Sequence, residues 1–267
     1  MKLIIYTNPK KPNAARLLAD LSETAEKRGI ETVPFASDVM LKDQPADFWR
    51  DVFCVVTIGG DGTILRAVSA AAPYDVPVLG INMGRVGFFS EIGTDDFEEA
   101  LNKLQNGEFT YEYASMITCS VNGRTVGECL NDFIIHRQEL SSIAQLSLEV
   151  DGDAVGEVMA DGLIVASPSG STGYTMSAGG PVVAPLLDCM LVTPICPHSL
   201  TVRPIVASAD SAVKVVAKSV CRLTRDGQDA CTIVPGDELV FIQAEGKARF
   251  IRFGKRNIFR LIREKLR

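Results

Sequence analysis

Six residues without polar alternation, Phe53-Cys54-Val55-Val56-Thr57-Ile58, run into Gly59-Gly60-Asp61-Gly62-Thr63, and apolar positions then resume at Ile64, Leu65, Ala67, Val68 and Ala71. The first stretch has the length of a strand and the last the spacing of a helix. A strand apolar on both faces needs cover on both faces, which a parallel sheet packed between helices provides. A second such pair precedes it: residues 2–8 read as a short, largely apolar strand, and Ala14, Leu17, Leu18, Leu21 and Ala25 recur at helical spacing up to Gly29, a C-terminal cap. Residues 77–81 read as a further strand, and residues 97–104 as a helix with Asp95 as its N-cap. The fold class expected for this part is an α/β domain with an open, Rossmann-like parallel sheet.

Past Gly107 the texture changes. Residues 115–121, 129–136, 143–150, 162–166, 202–206, 212–217, 232–234, 238–243 and 248–253 are short β-prone segments, several separated by turns such as Asn122-Gly123 and Asp151-Gly152. Asn-Gly and Asp-Gly at this spacing favour hairpins, so this part is expected to be β-rich, antiparallel and sandwich-like. The domains are expected at 1–107 and 108–256, with a basic amphipathic helix at 257–267 that can pack back on the first.

Composition narrows the function. With 46% hydrophobic and 22% charged residues the chain can build cores, and its apolar runs are of strand length, so neither a membrane span nor a signal peptide is expected. A net charge of −6 without a dense basic run before residue 257 argues against a nucleic-acid partner. Seven cysteines with no Cys-x-x-Cys pair point to a reducing, cytoplasmic setting. Two histidines, His136 and His198, leave carboxylates as the better candidates for a general base.

Three motifs carry chemistry. At Gly59-Gly60-Asp61-Gly62-Thr63, glycines let backbone approach a polyanion at a helix start, where amide donors and the helix dipole favour phosphate. It lacks the lysine of a Walker A loop and the spacing of a Rossmann dinucleotide loop. Asp61 either holds a metal or takes a proton from a hydroxyl nucleophile, or it is an ordinary helix cap. The second motif, Asp161-Gly162-Leu163-Ile164-Val165-Ala166-Ser167-Pro168-Ser169-Gly170-Ser171-Thr172-Gly173-Tyr174-Thr175-Met176-Ser177, leads a strand into a hydroxyl-rich loop with one ring able to stack on a base. The other reading is a flexible loop. The third, Asn131-Asp132 at a strand start, can read a base edge or a ribose diol, and is also a common turn dipeptide.

Together with Gly80-Ile81-Asn82-Met83-Gly84-Arg85-Val86-Gly87-Phe88-Phe89 and Thr193-Pro194-Ile195-Cys196-Pro197-His198, these motifs closely resemble the NAD kinase family from about residue 50 onward. The Gly-Gly-Asp-Gly-Thr element alone is shared with diacylglycerol and sphingosine kinases. The resemblance implies a kinase that moves the γ-phosphoryl group of ATP to the 2′-hydroxyl of the adenosine ribose of NAD+, with Mg2+ or another divalent cation. Asp61 resembles the base, with Gly62 at the same contact, and Gly59, Gly60, Gly62 and Thr63 resemble the loop facing the donor phosphates. Asn131, Asp132, Asp161, Ser169, Thr172, Gly173, Tyr174, Ser177 and Gln228, the last in Asp226-Gly227-Gln228, resemble the dinucleotide contacts. Arg66 is either a phosphate contact or an exposed helix charge, and His198 is read as structural. The family also implies a site between two domains and a homodimer or homotetramer. Gly173 stands where many relatives have Ala, and Met159 where a basic or polar side chain is common.

Two rival functions remain. A lipid kinase of the same superfamily is disfavoured by the polar 161–181 stretch and the absence of a membrane-docking segment near the site. A non-catalytic NAD(P) sensor is disfavoured by retention of Asp61 beside phosphates.

Overall fold

The computed structural model describes residues 1–9, 13–84, 87–139, 141–199, 202–255 and 261–263. Arg85 and Val86 of the second glycine motif lie outside these, as does the expected helix 257–267 apart from residues 261–263, which are helical. The chain forms two compact units, Met1–Tyr113 with Gly246–Arg267, and Ala114–Glu245.

The first unit contains β1 (Lys2–Thr7), α1 (Ala14–Glu26), β2 (Glu31–Phe35), α2 (Asp38–Lys42), α3 (Ala46–Trp49), β3 (Val52–Ile58), α4 (Asp61–Ala71), β4 (Val78–Asn82), β5 (Ile92–Gly93) and α5 (Phe97–Asn106). The strands lie in the order β2-β1-β3-β4, and every pairing is parallel, including that of β5 with β4. Leu3, Ile5, Cys54, Val56, Ile58, Leu79 and Ile81 share one core with Leu21 and Ala25 of α1 and Leu101 and Leu104 of α5. Their neighbours Ile4 and Val55 are equally buried, as a sheet covered on both faces requires.

Two details differ from expectation. A 3-10 turn at Thr94–Asp96 precedes α5, so the cap position falls on Asp96 and not on Asp95, and the Asp96 carboxylate accepts the Gly93 N–H at 3.2 Å. β2 was not anticipated, because an edge strand containing Pro34 and exposed positions carries little apolar signal.

The second unit is built from β6 (Thr110–Val121), which enters it from the first, followed by β7 (Arg124–Cys129), β8 (Asp132–Arg137), β9 (Ala144–Val150), β10 (Asp153–Ala160), β11 (Gly162–Ala166), α6 (Tyr174–Ser177), β12 (Cys189–Ile195), β13 (Ile205–Ser208), β14 (Val213–Ala217), β15 (Cys221–Arg225), β16 (Gln228–Ile233) and β17 (Glu238–Arg252). One sheet runs β13-β12-β11-β8-β15-β16; the other pairs β10 with β9, β9 with β14, and β14 with the start of β17. All these pairings are antiparallel. Phe133, Ile135, Leu163 and Val165 of one sheet meet Leu146, Leu148, Val158, Val215 and Phe241 of the other in a common core, a sandwich. The end of β17 belongs to the first unit and lies parallel to β4, Phe250 opposite Val78.

The hairpin turns at Asn122-Gly123 and Asp151-Gly152 carry the positive φ of type I′ geometry, and Asp226-Gly227 forms a third. The expected strand 129–136 is two strands, broken at Leu130-Asn131, while 238–243 and 248–253 are one. β10 escaped notice because Asp153 to Glu157 is an exposed edge. Outside the sandwich, Ile164, Ala166, Leu191 and Ile195 pack with Ile134, Ala178 and Val183, so the stretch after β11 folds back over its own sheet. That second cover explains why β11 is buried at every position.

Candidate functional site

The candidate residues fall into two sets, one in each unit. In the first, β3 is followed directly by Gly59, whose N–H donates to Ile81 O at 2.9 Å. A Cβ on Gly59 would lie 2.8 Å from Thr63 Cβ, so glycine there lets Thr63 tuck under the loop, where it is 3% exposed. At Gly60 and Gly62 a Cβ would meet open space, so the protein's own packing does not demand glycine there. Gly60 is the N-cap of α4 and has no side chain to occupy the first amides, which leaves an N-terminus able to donate to an anion.

Asp61 is the first residue of α4 and only partly buried. Its carboxylate accepts the backbone N–H groups of Phe88 and Phe89, each at 3.0 Å. Gly87 makes the approach possible, since a Cβ there would lie 2.9 Å from Asp61 Cγ. Phe89 is anchored in turn: its ring stacks on Phe250 at 5.6 Å, and its carbonyl accepts Arg252 Nη1 at 3.0 Å. Arg66 is neither open at the loop nor a free surface charge; it pairs with Asp38 of α2 at 2.8 Å.

The second set surrounds the break between β7 and β8. Asn131 and Asp132 sit there, and the Asp226 carboxylate accepts the N–H groups of Leu130 (2.9 Å), Asn131 (2.8 Å) and Asp132 (3.2 Å). On the carbonyl side, Ser167 Oγ donates to Leu130 O and Ser167 N–H donates to Asn131 O at 2.9 Å. Asn131 Oδ1 is buried and has no partner among the described residues, an acceptor that a ligand donor would satisfy. Asp132 is 6% exposed; burial first, and the charge of Asp226 second, push its carboxyl up to about 7.

Ser169 and Thr172 lie in a 3-10 turn that starts where Ser167 Oγ accepts the Ser169 N–H at 3.1 Å, so the expected loop is ordered structure. Gly173 links this turn to α6, where Tyr174 and Ser177 are both exposed. A Cβ on Gly173 would lie 3.8 Å from both Asn131 Nδ2 and Asp132 Oδ2, placing this glycine against the pair. Asp161, Tyr174, His136, Arg137, Cys196 and Thr224 line a cavity of about 520 Å³. Asp161 is paired there with Arg137 at 2.8 Å. Gln228 opens β16, in register with Arg225, just past the turn that holds Asp226. Sequence reasoning missed the roles of Arg137, Ser167, Asp226 and the amides after Gly87; for Asp226 the signal was present, a carboxylate beginning a turn that Asn would serve equally well.

Among the described residues no three or more His, Cys, Asp or Glu side chains are grouped to hold a metal ion. The first set offers amide donors at a helix start and a fixed carboxylate; the second offers a cavity edged by a tyrosine ring and polar side chains.

The family profile described as ATP-NAD kinase N-terminal domain matches residues 13–109, and that described as ATP-NAD kinase C-terminal domain matches residues 130–253. A protein named NAD kinase from Natranaerobius thermophilus is 38% identical over 251 residues, which cover 91% of this chain and 85% of that protein. The structure of an NAD kinase from Archaeoglobus fulgidus in complex with ATP aligns with a TM-score of 0.80 at 28% identity, covering 99% of this chain and 98% of that one. Yeast NADH kinase complexed with NADH aligns with a TM-score of 0.91, covering 100% of this chain and 87% of that one, at 23% identity, which speaks for the fold alone. Matched by the profiles of both domains and by a relative along nine-tenths of its length, this chain belongs to the NAD kinase family.

Proposed function

We propose that this protein transfers the γ-phosphoryl group of ATP to the 2′-hydroxyl of the adenosine ribose of NAD+, forming NADP+ and ADP. The observation that carries this reading is Asp61, set at the amide-rich start of α4 and oriented by the Phe88 and Phe89 N–H groups. In the reaction the ribose oxygen attacks the γ-phosphorus, the bond to the ADP oxygen breaks, and the hydroxyl proton passes to the Asp61 carboxylate. Gly59, Gly60, Gly62 and Thr63 bring backbone amides to the donor phosphates, where charge develops. Asn131, Asp132, Asp161, Ser169, Thr172, Gly173, Tyr174, Ser177 and Gln228 hold the dinucleotide. Arg66 serves the phosphates only by leaving Asp38.

ATP as donor is supported by the ATP-bound Archaeoglobus fulgidus relative. The described donor set lacks a cluster that would cage a divalent ion, so Mg2+ is assigned to the ATP phosphates and enters as part of the substrate. Bound there, it would neutralise charge on the phosphate oxygens. A cytoplasmic location and a homodimeric or homotetrameric assembly complete the proposal; among the described residues no helix is long and apolar enough to cross a membrane.

The test is incubation of the purified protein with ATP, Mg2+ and NAD+, with NADP+ read by an NADP-specific dehydrogenase. Formation of NADP+ is expected. Tight NADP+ binding with no turnover would replace the kinase reading with that of a sensor.

A further inference from the structure

We propose that Asp226 is the positioning residue of the dinucleotide site, holding the backbone of residues 130–132 so that Asn131 and Asp132 present their side chains to NAD+. This rests on the function proposed above.

The first position of a type I′ turn accepts Asn, Asp or Gly alike, so the turn between β15 and β16 does not itself require a carboxylate. At Asp226 the side chain leaves its own turn and takes three backbone N–H groups 94 to 96 residues away, while its own N–H donates to Asp132 O at 3.0 Å. The segment it grips is the interruption between β7 and β8. With the carbonyls of Leu130 and Asn131 bound by Ser167, both sides of this peptide are fixed by groups outside it. Charge-assisted bonds from backbone N–H to carboxylate are the stronger class, and here they replace the ladder that the strand break removes. Gly170 completes the clamp: a Cβ there would lie 2.7 Å from the Asn131 carbonyl carbon.

The arrangement also couples two carboxyls. Asp132 and Asp226 are both raised, each mainly by burial; Asp226 adds its charge to the Asp132 effect, and three N–H bonds and Arg225 draw Asp226 back down. Cys129 feels both carboxylates. Ionised Asp132 accepts from ligand hydroxyls, so its titration is a gauge of what Asp226 does to it.

The experiment compares wild type and Asp226→Asn for KM of NAD+ and of ATP, kcat, the pH profile of kcat/KM for NAD+, and Tm. The amide keeps the shape but sets an NH2 against one of the three N–H donors. KM for NAD+ is expected to rise about tenfold or more, with KM for ATP within about twofold. The limb near pH 7 is expected to move to lower pH as Asp132 loses its neighbour's charge. Unchanged KM for NAD+, or a lower Tm with an unmoved limb, would overturn the role. Should the variant not fold, hydrogen exchange on the wild type decides: the amides of Leu130 and Asn131, between the strands, are expected to exchange as slowly as those of β8, and loop-like exchange overturns the proposal. If wild type itself makes no NADP+, the functional reading fails instead, and the exchange result still judges the clamp.

Discussion

The Asp61 carboxylate accepts the backbone N–H of Phe89 at 3.0 Å, although 28 residues of chain separate them. The contact couples the start of α4 to a loop that Arg252 and Phe250 hold from beneath, so the position of the candidate base is set by packing far from the glycine turn. Gly87 is the hinge of this arrangement. In Gly87→Ala the new methyl meets Asp61 Cγ at 2.9 Å and must push the carboxylate or the loop aside. Displacement of a reacting group by about 1 Å can cost on the order of 100-fold in rate. Steady-state kinetics should show kcat reduced at least tenfold, with KM for NAD+ changed much less.

Arg137 and Asp161 form an ion pair on the wall of the 520 Å³ cavity. Arg137→Met keeps the apolar stem and removes the charge, leaving Asp161 without its fixed partner. KM for NAD+ should rise about tenfold while kcat stays within a few-fold, the pattern of lost ground-state binding.

Asp132 makes stability depend on pH. Its carboxyl rises from the usual 3.8 to about 7 in the folded protein, so between these values the native state keeps a proton that the unfolded chain has released. Stability therefore falls as pH rises through that window and levels off above about 7. Asp132→Asn removes the cost of burying this charge beside Asp226. Thermal unfolding should show the variant more stable than wild type at pH 8, with the difference shrinking toward pH 5, and binding of NAD+ weakened at both.

Gly170 and Gly173 lie three residues apart and should respond unequally to alanine. At Gly170 the Cβ would strike the Asn131 peptide, at 2.7 Å from its carbonyl carbon, and forced overpacking of this kind costs about 1–3 kcal/mol. At Gly173 the tightest contact is 3.3 Å, to Gly170 O, so a Cβ meets far less there than at Gly170. Calorimetry should find Gly170→Ala clearly destabilised and Gly173→Ala much less affected.

The parts legible in the sequence were those in which local pattern and tertiary role coincide. Val55, Val56 and Ile58 are apolar because both faces of β3 are covered, and Asn122-Gly123 turns the chain because both residues tolerate positive φ. Edge strands hid: β2 contains Pro34, and β10 turns Asp153 and Glu157 to solvent, so neither carries a buried pattern. The glycine turn, Asp61 and Asn131-Asp132 stood out by residue type. Their supports did not, because each is long-range: Asp226 acts across more than ninety residues, Arg137 acts on Asp161 just before the strand beside its own, and Phe88 and Phe89 act through amides that every residue but proline possesses.

The most direct test is the rate of NADP+ formation by Asp61→Asn, with NAD+ binding measured in parallel. The amide preserves the size of the side chain and can still accept one N–H bond, but it cannot take the ribose proton. Loss of kcat by about 100-fold or more, with NAD+ still bound, is the predicted result. Turnover at the wild-type rate would contradict the assignment of Asp61 as the proton acceptor.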